Sequence, residues 1–445
     1  MNRQNTAKQF KGYWWLPDNP DDKVAGVLTY YQGESCVLEL IGCFEKYSGS
    51  PQNFFTDRDN TEELIYGIDS DAKEISLIHN YRSGSLNLSC EFPITRYSIQ
   101  YFVYDRHIPG FDVCEDYIAT VRIPELSLWM QPQCITQTIS FSDEKISNIS
   151  LSFCTQGGNK NNRATIICKN GLKISFRQGM KYNGGYRGLK PELEQYSYLN
   201  ISTKKGISLK ELYHEIYKLE RFFSLATQKE IVHSSIVLNH PNEYQVYRDD
   251  EKVYTTIQLY DLFSCSEEDS IERTKSNAFL FDFDDVKEEL NVIMSSWMDD
   301  TDNMIPIKSH LVDSIIPKRR YGSVDFLIVI QAIEGFWWRF RDKEYKKQKN
   351  LSEKKNTSLN TILSELTQEF DKIAGTFCND WEIKSACDSR HYFSHFVEKD
   401  KKPEMKDGYE LYLLACKYRK LLVYCVLLNL GLSVERITKI IRKIK

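Results

Sequence analysis

The chain has 445 residues, too many for one hydrophobic core, and at roughly 100 to 200 residues per domain it should divide into two or three. A content of 41% hydrophobic and 27% charged residues excludes wholesale disorder. A formal net charge of −4 excludes coating of nucleic acid by bulk positive charge, so any phosphate contact must be local.

From Lys11 to about Leu199 short β-prone runs (VAGVLTYY, CVLELIGCF, ELIYGI, EISLIHNY, RYSIQYFVY) alternate with turn residues such as Asn170-Gly171. They predict a β-rich first domain over 1–205, sandwich-like or a curved antiparallel sheet. At Ser208 the period changes: Leu209, Leu212, Ile216, Leu219, Phe222 and Phe223 stand at helical spacing behind a Ser208 cap, with Glu211 three residues later. Strand-like runs (HSSIVLN, EYQVYRD, VYTTIQLY) and an acidic helix near Val286 to Trp297 then suggest a mixed connecting subdomain over 206–305. From 306 to 445 the pattern is helical. A long segment from SVDFLIVIQ is followed by helices at Ser358 to Ala374, around Trp381 to His395, at Tyr409 to Leu430 and from Ser433 onward, which describes a bundle. The fold class is therefore α+β, with an all-α second half. The lysine-rich run KEYKKQKNLSEKKN reads as a solvated loop.

Twelve cysteines are scattered without a CxxC pair and read as thiols in a reducing compartment. MNRQNTAKQFKGYWW lacks the basic-then-apolar run of a signal peptide, and the most apolar stretch, Leu421 to Leu432, falls short of the roughly 20 residues a bilayer span needs. A cytoplasmic protein without membrane contact is expected.

Within CDSRHYFSHF, Arg390 and His395 lie five positions apart, roughly 140° around a helix, while His391 and His395 share a face. Such residues can border one groove. Histidine removes a proton from a ribose 2′-OH near neutral pH, and arginine offers a fork of donors to phosphate oxygens. The same pattern also describes a surface helix with a salt-bridged arginine and a packed histidine, and a pair so spaced arises about once by chance in a chain like this one.

RHYFSH on a late helix, preceded by a helix reading DFLIVIQAIEGFW, resembles the HEPN domain of the ApeA group of bacterial antiphage proteins. GYWWLPDNPDDKVAGVLTY, ELIYGIDSDAKEISL, ELSLWM and LKELYHEIYKLERFFSLAT resemble the N-terminal domain of the same family. The likeness covers most of the chain. It implies an abortive-infection effector in which an N-terminal domain senses a phage component and holds a ribonuclease dormant. Arg390 and His395 carry over as the catalytic pair, with His391 where relatives often have another polar residue, to assist catalysis or orient the phosphate. Glu334 falls at a buried acidic position that could pair with Arg390. RNA is the implied substrate, with a tRNA anticodon loop as the first expectation, and a homodimer or larger symmetric oligomer as the implied assembly. No metal or other cofactor is expected. A catalytically silent dimerisation or nucleotide-binding module is the alternative.

Lys343, Lys346 and Lys347, with Lys318, Arg319 and Arg320 nearby in the chain, are candidates to guide RNA. His79, His107, His214, His233, His240 and His310 have no partner at metal-ligand spacing. Asp299, Asp300 and Asp302 lack the glycine and terminal glutamate of a calcium loop. Trp14, Trp15, Tyr30 and Tyr31 form an aromatic cluster suited to core packing or to a partner.

Overall fold

The computed structural model describes residues 7–44, 61–83, 94–131, 135–142, 145–153, 162–183, 192–246, 252–266, 279–299, 301, 303–316, 322–354, 356–375 and 380–442. Two compact units emerge. The first comprises 1–167, 171–216 and 232–274, the second 168–170, 217–231 and 275–445.

The first unit contains β1 (Lys8–Trp15), β2 (Val24–Tyr31), β3 (Ser35–Ile41), β4 (Thr61–Asp69), β5 (Glu74–Ser83) and β6 (Ile94–Tyr104). These pair antiparallel in the order β6-β3-β2-β1-β4-β5, and β5 pairs back onto β6, so the curved sheet closes into a six-stranded barrel rather than forming two facing sheets. Period-two alternation supplies its filling. Val24, Leu28 and Tyr30 of β2, and Cys36, Leu38 and Leu40 of β3, point into one core with Trp14, Ile65, Leu77, Ile99 and Phe102. Trp14 and Tyr30 are thus core residues, whereas Tyr31 is 36% exposed.

Beyond the barrel, β6 also pairs through Tyr101–Tyr104 with β14 (Lys252–Asp261), which continues to β13 (Ser235–Val246), β7 (Ile118–Arg122), β12 (Glu192–Ser202), β11 (Lys173–Asn183) and β10 (Asn162–Ile167). This corrects the expected connecting subdomain over 206–305. Its two strands sit in the middle of the main sheet, where backbone pairing on both sides makes them part of the β unit. A hairpin of β8 (Ile135–Ser142) and β9 (Lys145–Phe153) stands apart as its own two-stranded sheet.

Of the helices, α1 (Pro124–Met130) accompanies the sheet, and α2 (Leu209–Thr227) starts from a reciprocal cap in which the Ser208 hydroxyl accepts from the Glu211 N–H and Glu211 accepts from the Ser208 N–H. The second unit holds α3 (Phe283–Val286), α4 (Leu290–Trp297), α5 (Ile305–Ile315), α6 (Ser323–Phe340), α7 (Asp342–Gln348), α8 (Leu359–Ala374), α9 (Ile383–His395), α10 (Gly408–Asn429) and α11 (Val434–Ile441). Helix α10 is the bundle's axis. Leu421 to Leu427 are buried on every face, against α5, α6, α8 and α11. Part of the lysine-rich run expected as a loop is the helix α7, because Asp342 and Lys346, one turn apart, form an inward-facing ion pair at 2.7 Å. Among the described residues, no helix is long and apolar enough to cross a membrane.

Gly67 of β4 lies directly opposite Trp14, and a Cβ there would penetrate the indole ring. Gly67→Ala should therefore lower stability by about 1–3 kcal/mol. Adding Trp14→Leu should make the double variant less unstable than the sum of the singles, as read from urea unfolding midpoints.

Candidate active site at the end of a buried helix

Helix α9 begins inside the bundle and ends in solvent. The Trp381 indole N–H donates to Asp371 and its carbonyl accepts from the buried Tyr418 hydroxyl, while Ser385 to Ser389 are all buried. Small side chains at Ala386, Cys387 and Ser389 allow this close approach. Burial pushes the Cys387 thiol up to about 11, helped by neighbouring Asp388, so it stays protonated and is no nucleophile. After Ser389 the exposure rises, and Phe396, in the left-handed region at φ 54°, ends the helix one residue past His395. That conformation is costly for a side-chain-bearing residue. Phe396 is 90% exposed and His395 is left at an open terminus.

On this exposed end the charged side chains meet. Arg390 Nη1 lies 2.5 Å from His395 Nε2, so the guanidinium touches the imidazole instead of merely bordering a groove with it. A flexible arginine stem spans the angular separation that the Cα positions impose. The same guanidinium is held by Glu334 of α6, whose Oε2 accepts from Arg390 Nε at 3.3 Å and lies 3.3 Å from Nη2. The His391 ring stands 5.8 Å from that of His395. Burial, followed by the positive charge of Lys402 and then of Arg390, holds His391 below the ordinary imidazole range.

The structure thus brings Glu334, Arg390, His391 and His395 together, and adds two residues that sequence reasoning does not single out. Lys402 Nζ lies 3.4 Å from Asp388 Oδ1 and 3.2 Å from His391 Nδ1. Asp388 could have been noticed one helical turn before His391. Lys402 lies beyond the helix end, where no spacing rule reaches.

The other expected residues fare differently. Lys343 and Lys347 lie exposed on α7, but Lys346 is buried, tied to Asp342 and donating to the Glu353 carbonyl, so it is unavailable to RNA. Lys318, Arg319, Arg320, Asp300 and Asp302 lie outside the described residues. Asp299 accepts from Lys169 and from Thr301. His233 is buried against Asp261 at 2.8 Å, and His107 stacks on Tyr66.

The class of this helical bundle is shown by residues 327–436, which hold the whole cluster and match the Apea-like HEPN family model. Residues 9–297, more than half of the chain, match the model of ApeA N-terminal domain 1, and the chain belongs to the ApeA family. With membership comes a nuclease-type role in antiphage defence; HEPN domains as a class are ribonuclease-like, generally bind RNA and often dimerise. No curated protein and no solved structure matches the chain.

Burial raises the Asp342 carboxyl, but hydrogen bonds from Lys346, Thr357 and Trp337 outweigh it and leave the group below the usual aspartate range. The stability this cluster adds is complete above the unfolded aspartate pKa and is lost as pH falls through the lowered folded value. Lys346→Met should lower stability by about 3 kcal/mol at neutral pH because a buried carboxylate loses its partner, read as a lower urea midpoint, and should flatten that midpoint's fall between neutral and acid pH.

Proposed function

We propose that the chain is an antiphage endoribonuclease that cuts RNA at the Arg390–His395 site by attack of a ribose 2′-OH on the adjoining phosphate. The observation that carries this reading is the 2.5 Å contact between Arg390 and His395, backed by Glu334, at the exposed end of α9. With Arg390 donating, the Nε2 lone pair of His395 is engaged in the resting site. A phosphodiester offers the guanidinium fork charged acceptors in matching geometry, stronger partners than a neutral ring nitrogen. Arg390 transfers to the phosphate, and Nε2 becomes free to accept the 2′-OH proton. The 2′-oxygen then bonds to phosphorus, the bond to the 5′-oxygen breaks, and that oxygen takes up a proton from water. The products are a 2′,3′-cyclic phosphate and a 5′-hydroxyl end. Arg390 meets the charge that develops on the phosphoryl oxygens.

In this reading the substrate is RNA with unstacked nucleotides able to reach an in-line geometry, a tRNA anticodon loop being the leading choice. The chain works in the cytoplasm as a pair or a larger symmetric assembly, and the β unit answers to a phage component. Lys343 and Lys347 remain as guides for the RNA backbone, without Lys346.

The test is to express wild type, Arg390→Ala and His395→Ala in phage-challenged bacteria and sequence RNA ends bearing 2′,3′-cyclic phosphates. Discrete ends should appear with wild type and fall by about 100-fold or more in either variant. Equal protection by all three, with no new ends, would contradict the proposal. With purified protein and single-stranded RNA, Lys343→Glu with Lys347→Glu should weaken binding and reduce the slope of log affinity against log salt by roughly 0.7 for each phosphate no longer neutralised. An unchanged slope would remove these lysines from the RNA path.

A further inference from the structure

The cluster on α9 contains two chains of the same composition. In one, Glu334 holds Arg390 and Arg390 touches His395; in the other, Asp388 holds Lys402 and Lys402 touches His391. Each is a carboxylate, a cation and an imidazole. The cations differ in chemistry. Arg390 carries a planar fork suited to a phosphate, whereas Lys402 is a point charge with three donors and no acceptor.

Lys402 is also fastened in place. It follows a short 3₁₀ turn at Lys399–Lys401, and four residues on the Lys406 N–H donates at 2.9 Å to the wholly buried Ser389 hydroxyl, so the returning segment is pinned against α9. Asp388, one helical turn before His391, is itself buried.

We propose that Lys402 is a positioning residue for His391: by donating to Nδ1 it fixes the neutral ring with its proton on Nε2, which makes His391 a hydrogen-bond donor to the scissile phosphate and leaves His395 as the base. An ammonium group at 3.2 Å can only donate to that nitrogen, and an imidazolium there would set N–H against N–H. Burial disfavours protonation of His391 most; of the groups facing it, Lys402, Arg390 and His395 act in the same direction and Asp388 opposes them, so the ring is held below the ordinary imidazole range. When RNA draws Arg390 off His395, Lys402 stays with Asp388, so one imidazole gains a free lone pair and the other keeps presenting a proton. The two histidines then hold opposite roles. The inference rests on the ribonuclease reading, but its measurement does not use RNA.

The experiment is long-range ¹H–¹⁵N correlation spectroscopy of the full-length chain labelled at histidine, with the His391 signals assigned from their loss in His391→Gln. Wild type should show His391 with its proton on Nε2 and a titration midpoint below the ordinary imidazole value of 6.5. Lys402→Met should shift that midpoint upward and mix the two tautomers, Lys402→Arg should preserve both, and the His395 signals should stay unchanged. A wild-type ring protonated on Nδ1, or a midpoint that does not move in Lys402→Met, would overturn the proposal. If Lys402→Met does not fold, the wild-type tautomer decides alone. Loss of RNA cleavage with the expected tautomer would count against the ribonuclease reading and leave Lys402's role intact.

Discussion

A guanidinium suspended between a carboxylate and an imidazole is the interaction on which the rest of this site depends. Arg390 is only partly exposed, and a charge withdrawn from water must be paired or it destabilises the fold. Glu334 supplies the pair from α6 and thereby ties the last turn of α9 to the bundle. The remaining Nη1 lies against His395 Nε2, and on the proposed reading that contact engages the histidine's lone pair. One ion pair thus sets the orientation of the arginine and, through it, the contact with His395. In the proposed reaction phosphate oxygens release this contact, because they offer Arg390 what the imidazole cannot, a full negative charge.

The surrounding architecture makes this arrangement possible. The Leu421 to Leu427 stretch of α10 is apolar on all sides, so the bundle has an axis against which α6 and α8 pack, and these in turn hold the buried half of α9. Left-handed backbone at Phe396 stops the helix at the point where His395 reaches solvent, and the returning segment brings Lys402 over the same helical face. Rigid elements carry every member of the cluster except Lys402, whose own segment is held by the hydrogen bond to Ser389. In the β unit the corresponding constraint is closure. Strand β6 pairs with β5 on one side and with β3 and then β14 on the other, so one strand both seals the barrel and opens the extended sheet.

Much of this was legible in the sequence wherever the determining physics is local. The Ser208 and Glu211 cap, the Ser358 start of α8 and the apolar run of α10 lie at the positions their residues predict, since capping and helical periodicity involve neighbours within a turn. Closure of the barrel was not legible. Both β5 and β6 read as strands, yet nothing within either says that Leu77 will pair in register with Phe102 and close the sheet. The middle strands β13 and β14 were set apart for the same reason, because an intervening helix hides a pairing made far along the chain. At the site, the spacing of Arg390 and His395 is one that chance also supplies, and the resemblance picked them out together with Glu334. Lys346 misled because a lysine-rich run looks solvated until one of its members finds a buried aspartate. Lys402 escaped because only the folded return of the chain gives it a partner.

The most direct measurement of the central claim is cleavage by the purified chain of an RNA carrying a single 2′-O-methyl group at the nucleotide where the unmodified RNA is cut. If a 2′-oxygen is the nucleophile, the methylated RNA should bind with unchanged affinity and remain whole at that position, while the unmodified strand yields a 2′,3′-cyclic phosphate. Cutting of the methylated strand at the same position would contradict 2′-OH attack and with it the assignment of His395 as the base.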